Sequence, residues 1–123
     1  MKVLLVEDDE FFHKFYAFKL QEQGFEVAIA KNGLEGIAKL KEFLPDLVLL
    51  DLIMPIKDGF DFLQEKRVLE NVKNIPVIVF STLGQEQDMQ KAKSLGANDY
   101  INKSFFDFDN LLRKIFTFMP KPT

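Results

Sequence analysis

Three runs of the sequence, VLLV (3–6), LVLL (47–50) and VIVF (77–80), are apolar at every position. A strand with one face in water alternates apolar and polar residues. Unbroken apolar runs of this length instead belong to strands covered on both faces, as in a parallel sheet with helices above and below. FEVAIA (25–30) and NDYIN (98–102) bring the strand candidates to five, and the polar content of NDYIN suits a sheet edge. The intervening segments, 10–23, 34–43, 60–71 and 85–95, carry helical periodicity, and a last helix is predicted over FDNLLRKIFTF (108–118). Five strands, each followed by a helix, predict an α/β domain built on one five-stranded, doubly wound parallel sheet. Gly24 and Gly96 fall where helix C-caps belong, and Pro45 and Pro76 stand just before strands.

At 123 residues and 47% hydrophobic content the chain is one domain, expected over 1–119 with a short tail at 120–123. A net charge of −3 gives no reason to expect nucleic acid or an anionic membrane as a direct partner. The absence of Cys removes disulfides and thiolate metal sites. No apolar run approaches the roughly 20 residues of a membrane span, and MKVLL is too short for a signal peptide. A soluble, cytoplasmic protein is expected.

In a doubly wound sheet, ligands bind beyond the carboxyl ends of the strands. Glu7, Asp8 and Asp9 follow the first strand, Asp51 the third, Ser81 and Thr82 the fourth, and Lys103 the fifth. Several carboxylates gathered at one edge repel, and a hard divalent cation with an oxygen shell removes the conflict. The acid cluster therefore reads as half of a Mg²⁺ site. Asp9 and Glu10 are better explained as the cap and acidic first turn of the following helix. For Asp8, the cation reading leads.

These residues carry a resemblance. LLVEDDE, DLVLLDLIMPIKDGFDFL, VIVFST and AKSLGANDYINK, in that order, are similar to the motifs of the receiver domain of two-component response regulators. In size and organisation the chain looks like the single-domain chemotaxis response regulator. The resemblance implies a flavodoxin-like three-layer sandwich and a phosphorylation-activated switch in a phosphorelay. It implies that Asp51 is the phosphoacceptor, that Asp8 binds Mg²⁺ directly and Glu7 through a water, and that the Ile53 backbone carbonyl supplies a further metal oxygen. Ser81 would hydrogen-bond the phosphoryl group and Lys103 would pair with it. Tyr100 would change rotamer as Ser81 moves. The phosphoryl group would come from a sensor histidine kinase or a histidine phosphotransfer protein, and a downstream protein would read the result. The chain would be no enzyme in the ordinary sense, although it would assist its own phosphorylation and dephosphorylation. With no output domain in view, it is either a complete single-domain regulator or the receiver piece of something longer.

The sequence departs from the family pattern at four points. Lys103 is followed by Ser104 rather than Pro, and Thr82 is bulkier than the usual small residue beside the hydroxyl. Ile53 and Leu83, expected to flank the phosphoryl group, are apolar and cannot hold an attacking water, so a long-lived phosphoryl group is expected. Finally, 14 Phe is a high number for this length. In the first helix Phe12, Tyr16 and Leu20 form the expected core stripe, with Phe11 and Phe18 near its rim, either as a binding surface or covered by the last helix. Gly59 is expected to be a turn glycine, and His13 to be solvated. A flavodoxin-like FMN carrier is disfavoured because carboxylates after the first strand repel phosphate. A haloacid-dehalogenase-type phosphatase would want Asp where Ile53 stands. The remaining alternative is a receiver-like interaction module that works without phosphorylation.

Overall fold

The computed structural model describes residues 1–82, 86–103 and 107–119. Leu83, Ser104 and the 120–123 tail lie outside the described residues, and with them the expectations about a flanking leucine and the bond after Lys103.

The strands are β1 (Lys2–Val6), β2 (Glu26–Ala30), β3 (Leu47–Leu50), β4 (Val77–Ser81) and β5 (Asp99–Asn102). All pair in parallel in the order β2-β1-β3-β4-β5. The three unbroken apolar runs are the three central strands, and each of their residues is buried. The NDYIN segment forms an edge, as its polarity predicts. The helices are α1 (Glu10–Glu22), α2 (Gly33–Phe43), α3 (Gly59–Lys66), α4 (Glu86–Ser94) and α5 (Phe108–Phe118).

Side chains alternate across each strand and divide the core into two layers. Leu4, Val6, Val48, Leu50, Val77 and Val79 pack with residues of α2, α3 and α4. Val3, Leu5, Leu47, Leu49, Ile78, Phe80 and Ile101 pack with α1 and α5. Gly24 and Gly96 close α1 and α4 as expected, at φ of 93° and 110°. In each case the glycine N–H and the next N–H reach back to the last turn, Gly24 to Gln21, Phe25 to Leu20, Gly96 to Lys93 and Ala97 to Ala92, which satisfies carbonyls the helix leaves open.

Two expectations need correction. The periodicity that suggested a helix over 60–71 ends at Lys66, and the chain then tightens into turns with three-residue bonds, Val68 to Glu65, Leu69 to Lys66, Val72 to Leu69 and Ile75 to Val72. Val68, which extended the apparent apolar stripe, is 71% exposed. Gly59 is not a positive-φ turn residue but the first residue of α3, at a point of close approach. A Cβ there would lie 2.4 Å from the Asp51 carbonyl oxygen and 2.8 Å from Leu52 Cα.

Candidate functional site

The sheet ends bring together the groups that the sequence scattered. Asp51 follows β3, and its N–H donates to the Val6 carbonyl (2.9 Å), which ties it to the end of β1. One carboxylate oxygen, Oδ1, accepts from the Leu52 N–H (2.8 Å). The other, Oδ2, lies 3.7 Å from Lys103 Nζ. The loop beyond is pinned at both ends: Gly59 donates to the Leu52 carbonyl (3.0 Å), and Gly33 donates to the Lys57 carbonyl (2.7 Å). Asp58 and Asp61 then form a reciprocal capping box that starts α3.

At the end of β1, Glu7 is buried, Asp8 exposed and Asp51 buried, and one ligand oxygen from each lies within 4.8 Å of the others. Asp9 caps α1 as expected, accepting from the Phe12 N–H (3.0 Å), and Glu10 pairs with Lys14 (2.7 Å). Burial pushes the Glu7 pKa up to about 7; the Lys103 ammonium bonded to it opposes the rise, and the Asp51 charge adds to it. Two buried carboxylates beside one ammonium are one positive charge short. An all-oxygen donor set with that deficit fits a hard divalent cation of the Mg²⁺ type.

Lys103 bonds to Glu7 Oε1. Its ammonium also stands 4.6 Å from the centre of the Phe12 ring and 5.3 Å from that of Phe80. Neither aromatic contact was foreseen, nor was the role of His13. Far from being solvated, His13 is buried, and its Nδ1 lies 3.0 Å from the Glu7 carbonyl. A carbonyl can only accept, so Nδ1 carries the proton and holds the backbone from which the Glu7 carboxylate projects. A single histidine on a helix carries no sequence signal for such a contact. Phe12 could have been noticed, because it lies in the first turn of the helix that begins directly after the acid cluster.

On the other face of the sheet, Ser81 is fully buried at the end of β4, in register with Asn102 on β5. Tyr100 pairs with Val79, two residues earlier. Its hydroxyl is shut off from solvent and has no hydrogen-bond partner of good geometry among the described residues. Burial pushes its pKa up; Asp88 adds to the rise and the Ser81 hydroxyl opposes it. Thr82 and Ile53 are exposed. On α1, Tyr16 and Leu20 are buried as expected, whereas Phe11 and Phe18 remain 72% and 61% exposed, so α5 does not cover them.

An all-parallel 2-1-3-4-5 sheet with carboxylates, a hydroxyl and a lysine at its carboxyl edge defines a class, and comparison with known proteins agrees. Residues 3–116 match the response regulator receiver domain family, and the chain belongs to it. It is 41% identical over 105 residues to the chemotaxis protein CheY of Halobacterium salinarum, covering 85% of each chain. It is also 34% identical over 114 residues to the DNA-binding dual master transcriptional regulator RpaA of Synechocystis, covering 93% of this chain but 47% of that one, so it spans about half the length of such relatives. Its fold superposes on the chemotaxis protein CheY4 of Vibrio cholerae with a TM-score of 0.89 at 29% identity, over 96% of this chain and 98% of that one. The receiver domain of the sensor histidine kinase PA1611 of Pseudomonas aeruginosa, solved with magnesium in its active-site cleft, superposes equally well (TM-score 0.89, 25% identity, 98% of each chain). Receiver domains are phosphorylation-activated switches of two-component systems that interact with histidine kinases and downstream effectors. No helix among the described residues is long and apolar enough to cross a membrane.

Proposed function

We propose that Asp51 is the residue that takes the phosphoryl group, with a divalent cation on Glu7, Asp8, Asp51 and the Ile53 carbonyl. The observation that carries this reading is the position of the Asp51 carboxylate, whose Oδ2 lies 3.7 Å from the Lys103 ammonium and one of whose oxygens lies within 4.8 Å of an oxygen of each of the other two acids. One carboxylate thus has a cation on one side and a metal-type acid cluster on the other. The Asp51 carboxylate attacks phosphorus on a phosphohistidine of a sensor kinase or phosphotransfer protein; the P–N bond breaks, an acyl phosphate forms, and the imidazole leaves with the electron pair. Lys103 pairs with one phosphoryl oxygen and Ser81 donates to another, which spreads the negative charge of the transferring group. Mg²⁺, when bound, would be held by Asp8 directly and by Glu7 through a water, and would supply the remaining charge neutralisation.

The same residues support a switch. A phosphoryl oxygen draws the Ser81 hydroxyl toward Asp51, and the Tyr100 ring, whose hydroxyl is buried without a partner of good geometry among the described residues, takes up the space. That biases the surface formed by α4, β5 and α5, which a downstream protein reads in the cytoplasm. The chain is a phosphoacceptor rather than an enzyme. Incubation with Mg²⁺ and acetyl phosphate, followed by intact mass measurement, tests the assignment. One phosphoryl adduct is expected on the parent and none on Asp51→Asn. An adduct that persists in Asp51→Asn would overturn the choice of acceptor, and a parent that takes none would favour the phosphorylation-independent module.

A further inference from the structure

The phosphoryl-transfer reading gives Lys103 a task but does not explain what holds a flexible four-carbon side chain in place. Its ammonium is almost removed from water, with 5% of the side chain exposed. One side of it meets Glu7 and Asp51. Another side meets the faces of two rings, Phe12 at 4.6 Å and Phe80 at 5.3 Å. Those rings are themselves braced. Phe12 stacks parallel on Tyr16 (6.0 Å between centres, 2° between planes), and Tyr16 meets Phe80 edge-on (5.0 Å, 86°). Phe12 is also fixed at its backbone, where its N–H donates to the Asp9 cap.

We infer that Phe12, with Phe80 behind it, is a positioning residue for phosphoryl transfer: the two ring faces replace water around the Lys103 ammonium and hold it at the Asp51 end of the site. This inference rests on the phosphoacceptor reading of Asp51. The physical basis is the negative face of an aromatic ring, which attracts a cation most strongly when both are desolvated. An aliphatic residue at position 12 fills space but offers no such face, so the ammonium gains freedom and the oxygen it should meet loses its partner for part of the time. Acidic caps and aromatic faces thus meet in the first turn of α1, where Asp9 orders the backbone and Phe12 orders the lysine.

The test uses the full chain with two readouts. The first is the proton shift of the Lys103 Cε methylene, which lies next to the ammonium and should be moved upfield by the ring currents in the parent and lose that displacement in Phe12→Leu. The second is the rate of adduct formation with acetyl phosphate and Mg²⁺. It should fall about tenfold in Phe12→Leu, recover in Phe12→Tyr, and decline stepwise when mono-, di- and trifluorinated phenylalanine are placed at position 12, because fluorine drains the ring face while packing barely changes. A normal Lys103 shift in the parent, or a rate indifferent to fluorination, overturns the inference. If the parent forms no adduct, the phosphoacceptor reading falls and takes the catalytic half of the inference with it, while the methylene shift still decides whether the rings hold the lysine.

Discussion

Lys66, at the end of α3, is a charged residue that the sequence gives no reason to bury, yet only 4% of it is exposed. Its Nζ donates to the Lys73 carbonyl (3.0 Å) and so staples the turns that follow α3, but no carboxylate is paired with it among the described residues. Burial pulls its pKa down from 10.5 to about 8. At about 1.36 kcal/mol per pH unit, the gap amounts to roughly 3 kcal/mol by which folding penalises the charged form of Lys66 relative to the neutral amine. Between pH 8 and 10.5 the unfolded chain therefore binds more protons than the folded one, and stability rises with pH across that window. Lys66→Met removes the charge and keeps the aliphatic length, at the cost of a hydrogen bond to a carbonyl worth about 1 kcal/mol. The variant should be more stable than the parent by about 1–2 kcal/mol at pH 7, and should lose that advantage by pH 10.5 as the parent sheds its buried charge. Urea unfolding followed by far-UV circular dichroism, at pH 7, 9 and 10.5, measures the difference with other titrations cancelling between the two proteins; the chain has no Trp for a fluorescence readout. A difference that stays constant over this range would show that Lys66 is charged and solvated in the folded state.

Two further substitutions probe the loop that carries the site. Ile56 is 79% exposed and sits at φ 70°, a left-handed conformation that a β-branched residue adopts at a cost, so Ile56→Asn should raise the urea midpoint by the equivalent of about 1 kcal/mol; an unchanged or lower midpoint would refute the strain. Gly59→Ala should destabilise the fold by about 1–3 kcal/mol, because the new methyl meets the backbone of Asp51 and Leu52 rather than a side chain that can swing away. The same variant should slow adduct formation at Asp51, measured by intact mass against time. A stable variant with parental rate would mean that the loop and Asp51 are not in contact there.

Most of the fold could be read from the sequence because burial on two faces leaves a mark that needs no partner to interpret. VLLV, LVLL and VIVF, short and rich in β-branched residues, match strands in the middle of a covered sheet, and the topology then placed Glu7, Asp8, Asp51, Ser81 and Lys103 at one edge. The parts that were not legible depend on contacts between distant residues. Lys103 and Glu7 are 96 positions apart, and nothing local to either names the other. The rings around the Lys103 ammonium and the proton that His13 gives to the Glu7 carbonyl belong to the same category. The end of α3 is illegible for a different reason: Val68 and Leu69 keep an apolar rhythm that a helix and a chain of tight turns can both satisfy, and the bond from the Lys66 ammonium to the Lys73 carbonyl, which ties those turns together, leaves no mark in that rhythm.

The strand order has a consequence for which parts of the molecule open first. β1 and β3 are each zipped to a neighbour on both sides, so detaching either breaks two ladders, whereas β5 is held by β4 alone. Local opening should therefore have a gradient across the sheet, with the amides of Leu47–Leu50 surrendering their hydrogens to solvent deuterium only in near-global unfolding and those of Tyr100–Asn102 doing so in smaller excursions. Tyr100 lies on that loosely held margin and Lys103 directly follows it, while Asp51 follows a strand paired on both sides. The anchor of the site and its moving parts thus belong to regions of different opening energy, which lets one margin of the sheet rearrange while the rest stays closed.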